Sequence, residues 1–87
     1  MNTALFFETC GDLLAGDNYD EFTRVSASTL LGRTVVTEDN NAQKYFWDFI
    51  NPNLKSKIKH QMLGTLVHPN MSIVKAGANV ISFIALI

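Results

Sequence analysis

Residues 51–87 constrain this chain more than any other stretch, because NPNLKSKIKHQMLGTLVHPNMSIVKAGANVISFIALI holds two helical patterns back to back around one proline stop. Asn51 is placed to cap the first, and Pro52 falls in its first turn, where a missing N–H costs nothing. Leu54, Ile58, Met62 and Leu66 recur on one helical face. Pro69 removes a donor and pushes His68 out of the α region, so this helix must end there. Asn70 or Ser72 can cap the second pattern, which is apolar nearly all round: Ile73, Val74, Ala76, Val80, Ile81, Phe83 and Ile84 cover more than one face. Only Ser72, Lys75, Asn79 and Ser82 interrupt it, at spacings that align them in one narrow stripe. Such a helix needs neighbours on two or three sides.

The chain has 87 residues. At that size it is at most one small domain, and it buries only roughly 60–65% of its unfolded surface, which makes a free-standing core marginal. The pattern is still apolar at FIALI, with no cap, glycine or polar tail, and so reads as a piece cut from a longer protein, residues 1–87 being a partial domain. The net charge of −1 hides an asymmetry. Residues 1–50 hold all eight acids against Arg24, Arg33 and Lys44, a net of −5, whereas residues 51–87 hold four lysines and no acid. This reads first as a solvated surface and second as a pair of complementary docking faces. The clustered basic and aromatic surface of a nucleic-acid binder is absent from the sequence.

A single cysteine, Cys10, excludes an internal disulfide and fits a reducing compartment. MNTALFFETC lacks the basic flank and apolar run of a signal peptide. Residues 71–87 are too short, and too interrupted by Lys75 and Asn79, for a membrane span. Cys10, His60 and His68 lack the spacing of a zinc site, and the five glycines are isolated rather than gathered in a phosphate loop. No cofactor and no catalysis are expected. The run Lys55, Lys57, Lys59 reads as a solvated face, and Trp47, among aromatic neighbours, as core.

Further upstream, residues 3–15 place Leu5, Phe6, Cys10, Leu13 and Leu14 at near-helical spacing, with Gly16 as the stop. Gly11 weakens that helix by about 1 kcal/mol. Asn18 or Asp20 can cap a second helix over 19–36, with Phe22, Val25, Thr29 and Leu30 toward a core. TEDNN is a loop, and AQKYFWDFI, residues 42–50, a short helix. The sum is an all-α chain of about five helices with no convincing strand. Shifting the second helix by 51 residues lays Arg24 on Lys75, Ala27 on Ala78, Ser28 on Asn79 and Leu30 on Ile81. Small residues at matching positions let neighbouring helices approach closely and leave a polar stripe on an open surface, as in a stacked repeat.

The chain resembles the N-terminal region of the importin-β (karyopherin-β) family over nearly its whole length. Arg24-Val25-Ser26-Ala27 followed by Leu31 is similar to the family's pattern in the second helix of a repeat, Trp47 to a tryptophan of an additional helix, and Ile58-Lys59, Leu63 and Leu66-Val67 to the next helix. Ala76, Ala78, Val80, Ile81, Ile84, Ala85 and Ile87 resemble the alanine-rich helix that follows, while Gly32-Arg33 stands where the family commonly has lysine-asparagine. The resemblance implies an α-α superhelix, a HEAT/armadillo-like solenoid. It also implies nuclear protein import without catalysis, in which N-terminal repeats bind the GTP form of the small GTPase Ran and other parts of the receptor bind cargo or an adaptor and FG-nucleoporins. On that reading the protein works in cytoplasm and nucleus and at the pore, and Arg24, Ser28, Lys75 and Asn79 face the partner from the concave surface. The alternatives are another HEAT or armadillo scaffold, with the same physics and other partners, and a small helical enzyme. Two stacked repeats with bare ends are also expected to self-associate.

Overall fold

The computed structural model describes residues 2–41 and 43–86. Ala42, where a short helix was expected to start, and the terminal Ile87 lie outside the described residues. Four α-helices carry the fold: α1 (Thr3–Ala15), α2 (Glu21–Val35), α3 (Pro52–Thr65) and α4 (Met71–Leu86). Their starts follow from side-chain caps. Asn2 Oδ1 accepts the Leu5 N–H, Asp20 Oδ1 that of Thr23, Asn51 Oδ1 that of Leu54, and Asn70 Oδ1 that of Ser72. The choices open in the sequence thus fall to Asp20 over Asn18 and to Asn70 over Ser72.

A fifth helix over residues 42–50 does not form. In its place β1 (Glu38–Asp39) pairs antiparallel with β2 (Lys44–Tyr45), and a single 3-10 turn spans Phe46–Phe49. The reversal is local chemistry: Asp39 Oδ1 accepts the Asn41 N–H, Asp39 O accepts the Gln43 N–H, and Gln43 takes a positive φ of 57°. Tyr45, Phe46 and Trp47 favour extended or tightly turned backbone over a helix of fewer than three turns. Trp47 is buried and meets Phe7 edge to face at 5.7 Å, and Lys55 Nζ lies 6.0 Å from the indole.

Hairpin α1–α2 stacks on hairpin α3–α4 so that like helices are neighbours, α1 along α3 and α2 along α4. Members of each such pair run in the same direction. Glu21 meets Asn70 at the start of α2 and α4, and Gly32 meets Phe83 near their ends. Along α1 and α3, Lys57 Nζ lies 3.2 Å from Asp12 and 3.8 Å from Glu8, and Gln61 donates to Asp12 at 2.8 Å. The hydrogen bonds Gln61–Asp12 and Asn70–Glu21 each join residues 49 apart, close to the internal shift read from the sequence.

Between the hairpins lie Phe7, Leu14, Leu31, Val35, Ile58, Met62, Ile73 and Val80, each fully buried and each contributing about 1.5–3 kcal/mol. Two of the faces read from sequence are turned. In α2 the buried set is Arg24, Ala27, Ser28, Leu31, Gly32 and Val35, while Phe22 is 81% and Leu30 50% exposed. In α1 it is Phe7, not Leu5, that enters the core. The small residues Ala27, Ser28 and Gly32 are thus among those α2 turns inward, and the Phe22 ring is left outside. α3 buries Leu54, Ile58 and Met62 as expected, but Thr65 replaces Leu66, which lies past the helix end.

Candidate functional site

The polar stripe on α4 sets the geometry of the candidate site. Ser72, Lys75, Asn79 and Ser82 are all exposed, and the opposite side of the helix, with Ile73, Ala76, Gly77 and Val80, is buried. Where α4 runs beside α2 the two helices leave a groove of about 450 Å³ with Val25 and Ala76 among its walls, Phe22 and Glu21 at one end, and Ser28, Thr29, Ser72, Lys75 and Asn79 around it. Ala76 is the small residue of α4 in the groove wall, where its short side chain leaves the space open.

Three of the four residues assigned to a partner contact therefore come together: Ser28, Lys75 and Asn79 all line this groove. Their capacities differ. Ser28 is 6% exposed and donates its hydroxyl to Val25 O at 2.6 Å, so it shapes the wall rather than reaching out. Lys75 forms no ion pair among the described residues, and the nearby Glu21 is engaged by Asn70 Nδ2 at 2.7 Å. The groove thus carries one cation, Lys75, and one anion, Glu21, which are not paired with each other.

Arg24 is the exception. It is buried, and it points away from the groove toward the turn end of the fold, where Nε donates to Leu14 O at 2.9 Å. The offset that equated Arg24 with Lys75 matched positions on equivalent helices, but the first turn of α2 rolls its basic residue inward. Phe22 was missed for the opposite reason. With Val25 and Thr29 it forms the periodic face assigned to the core, and that face is the groove wall. An aromatic ring beside hydroxyl-rich neighbours was the available signal, since a core face in a helix this short carries fewer hydroxyls.

Away from the groove, charged side chains meet in two places, Lys57 with Glu8 and Asp12, and Arg24 with Asp17 beside His68. Cys10 is buried in the core, where desolvation raises its thiol pKa and makes it a poor nucleophile. His60 is exposed on α3, and among the described residues no three His, Cys, Asp or Glu side chains converge as a metal site. Asp20 is held below the usual carboxylate range by the Thr23 backbone N–H that it caps and by the Thr23 side chain. No helix of the described residues is long and apolar enough to cross a membrane. The groove offers an exposed aromatic ring, hydroxyl and amide groups, one cation and one carboxylate, a set of groups able to bind a polar surface. No family model, curated protein or solved structure matches the chain.

Proposed function

We propose that the chain is a two-hairpin part of a HEAT-type solenoid and works by stoichiometric protein docking, as the N-terminal repeat region of an importin-β-like nuclear transport receptor. The observation that carries this reading is the stacking of like helices in parallel, with a polar stripe left open on the second helix of the second hairpin. A repeat that buries its faces against neighbouring repeats and keeps one polar stripe clear is built to present that stripe. The partner is Ran in its GTP form, received along the α2–α4 groove by Lys75 and Asn79 with Ser28 behind them. FG-nucleoporins and cargo or an adaptor engage other parts of the full receptor, which shuttles between cytoplasm and nucleus.

The test is binding of the chain to immobilised Ran carrying a non-hydrolysable GTP analogue or GDP. The GTP form is expected to bind and the GDP form to fail. Lys75→Glu with Asn79→Ala is expected to weaken the GTP form by about tenfold, the scale of one well-placed interface contact. Equal binding of both forms removes Ran from the reading. The second reading, a HEAT or armadillo scaffold with other partners, is favoured by one observation: Arg24, which the family pattern places at a contact position, is spent on packing.

A further inference from the structure

The α1–α2 and α3–α4 turns lie side by side, and between them is a cleft of about 390 Å³ with Arg24 and His68 in its wall. Arg24 is only 5% exposed, so its charge has left bulk water and requires compensation. Its Nη1 lies 3.3 Å from Nε2 of His68. The other ring nitrogen decides the nature of that contact. Nδ1 of His68 accepts the backbone N–H of Asn70 at 3.0 Å, so the proton of the imidazole sits on Nε2. Nη1–H and Nε2–H are then two donors side by side, and such a pair calls for an acceptor oxygen in front of both.

Within the chain the nearest carboxylate is that of Asp17, whose Oδ1 stands 3.6 Å from Nη1 and 3.8 Å from Nε2. Both distances exceed a hydrogen bond. The Asp17 side chain is also 86% exposed, so it remains a hydrated ion that approaches the two donors without seating on them.

We propose that this cleft is a socket for a carboxylate of an acidic segment of a partner protein, held by charge-assisted hydrogen bonds from Arg24 Nη1 and His68 Nε2. Charge-assisted bonds of this kind are about twice as strong as neutral ones, and the guanidinium is already fixed by its bond to Leu14 O, so little side-chain freedom is lost on binding. Val67 and Pro69 give the cleft an apolar lip suited to the methylene groups of a glutamate. Asp17 is the built-in competitor, which the incoming carboxylate displaces. The socket lies at the turn end, outside the α2–α4 groove, and does not depend on Ran as the partner of that groove.

The experiment follows the Arg24 Nε–H and Asn70 amide signals of the ¹⁵N-labelled chain by NMR at constant ionic strength. The probes are a glutamate-rich octapeptide, the same peptide with glutamine for glutamate, and inorganic phosphate. The glutamate peptide is expected to shift both signals saturably, and the glutamine peptide and phosphate to leave them nearly in place. Asp17→Asn, on an exposed turn, is expected to tighten the glutamate peptide roughly two- to fivefold, the worth of one exposed ion pair. Equal responses to the two peptides, or an affinity unchanged by Asp17→Asn, would overturn the socket. Phosphate binding as tightly as the glutamate peptide would overturn the assignment to a partner's side chain.

Discussion

The seam between α3 and α4 and the seam between α2 and α4 are both built on a glycine, yet the first opens on an apolar hollow and only the second on a groove rimmed by polar side chains. At the α3–α4 seam a Cβ on Gly77 would overlap the Thr65 hydroxyl and stand 3.2 Å from Met62 O. Thr65 is itself buried, its Oγ1 donating to Met62 O at 2.6 Å. At the α2–α4 seam a Cβ on Gly32 would meet the ring of Phe83 at 2.7 Å, and its three nearest neighbours are all atoms of that ring. One helix thus touches α3 through short, buried, hydrogen-bonded atoms and α2 through the edge of a half-buried ring. The difference teaches which close approach a side chain can relieve: beside α3 a backbone carbonyl stands behind the threonine, whereas beside α2 the obstacle is a ring that can move, next to the surface offered for docking.

Gly77→Ala should therefore produce the largest effect, a loss of about 2–3 kcal/mol of unfolding free energy, because Thr65 must give up its bond to Met62 O and the backbone must still part. Denaturant unfolding measures it. Thr65→Ala combined with Gly77→Ala should recover part of the loss, a coupling that two independent sites would not show. Gly32→Ala should lie far closer to neutral, since displacing the Phe83 ring offsets a helix-propensity gain of about 1 kcal/mol. If the two glycines cost the same, the two seams do not differ as described.

A smaller effect separates the groove from both seams. Lys75→Ala and Asn79→Ala remove exposed side chains, and each should change stability by no more than about 0.5 kcal/mol. A larger loss in thermal melts would mean that the stripe serves the fold rather than a partner. The outer edge of the α3–α4 hairpin gives a related contrast. Leu63, Ile81, Ile84 and Ala85 line an apolar hollow of about 220 Å³ there. The chain should self-associate through this edge, and Leu63→Glu should shift its sedimentation toward monomer with little change in stability.

How much of this was legible in the sequence depends on which residues carried each feature. α3 could be read from Asn51, Pro52 and Pro69, since caps and prolines act through local backbone geometry that no neighbour overrides. The stripe on α4 was legible because four polar residues stood out against an apolar background. α2 was read on the wrong face, since Phe22 and Leu30 outweigh Ala27, Ser28 and Gly32 in any hydrophobic pattern, whereas close packing of two helices selects the small ones. Residues 37–41 read as a loop and 42–50 as a short helix with aromatic residues crowded at its end, but the Asx turn at Asp39 and the pairing of Glu38 with Tyr45 act first. The Arg24, His68 and Asp17 cluster joins two turns that are far apart in sequence, and no local pattern reports it.

The smallest expected effect concerns the start of α2, where the groove begins. Asp20 caps the helix by accepting the Thr23 N–H at 2.7 Å, and that bond holds its carboxyl below the usual value of 3.8. A carboxyl lowered on folding contributes stability that is fully present above its unfolded value and is lost as pH falls through the folded one. Asp20→Asn keeps an acceptor for the cap but cannot titrate. At neutral pH the variant should melt slightly below the parent, having lost the anion at a helix N-terminus. On acidification below about pH 4 the parent should lose this advantage, so the two melting temperatures converge. The atoms nearest a Cβ at Gly77 belong to Thr65 and Met62, neither of which titrates in acid, so acidification from about pH 5 to about pH 3 should leave the cost of Gly77→Ala unchanged. A gap between parent and Asp20→Asn that stayed constant in acid would show that the cap does not set the anchoring of α2 beside the groove.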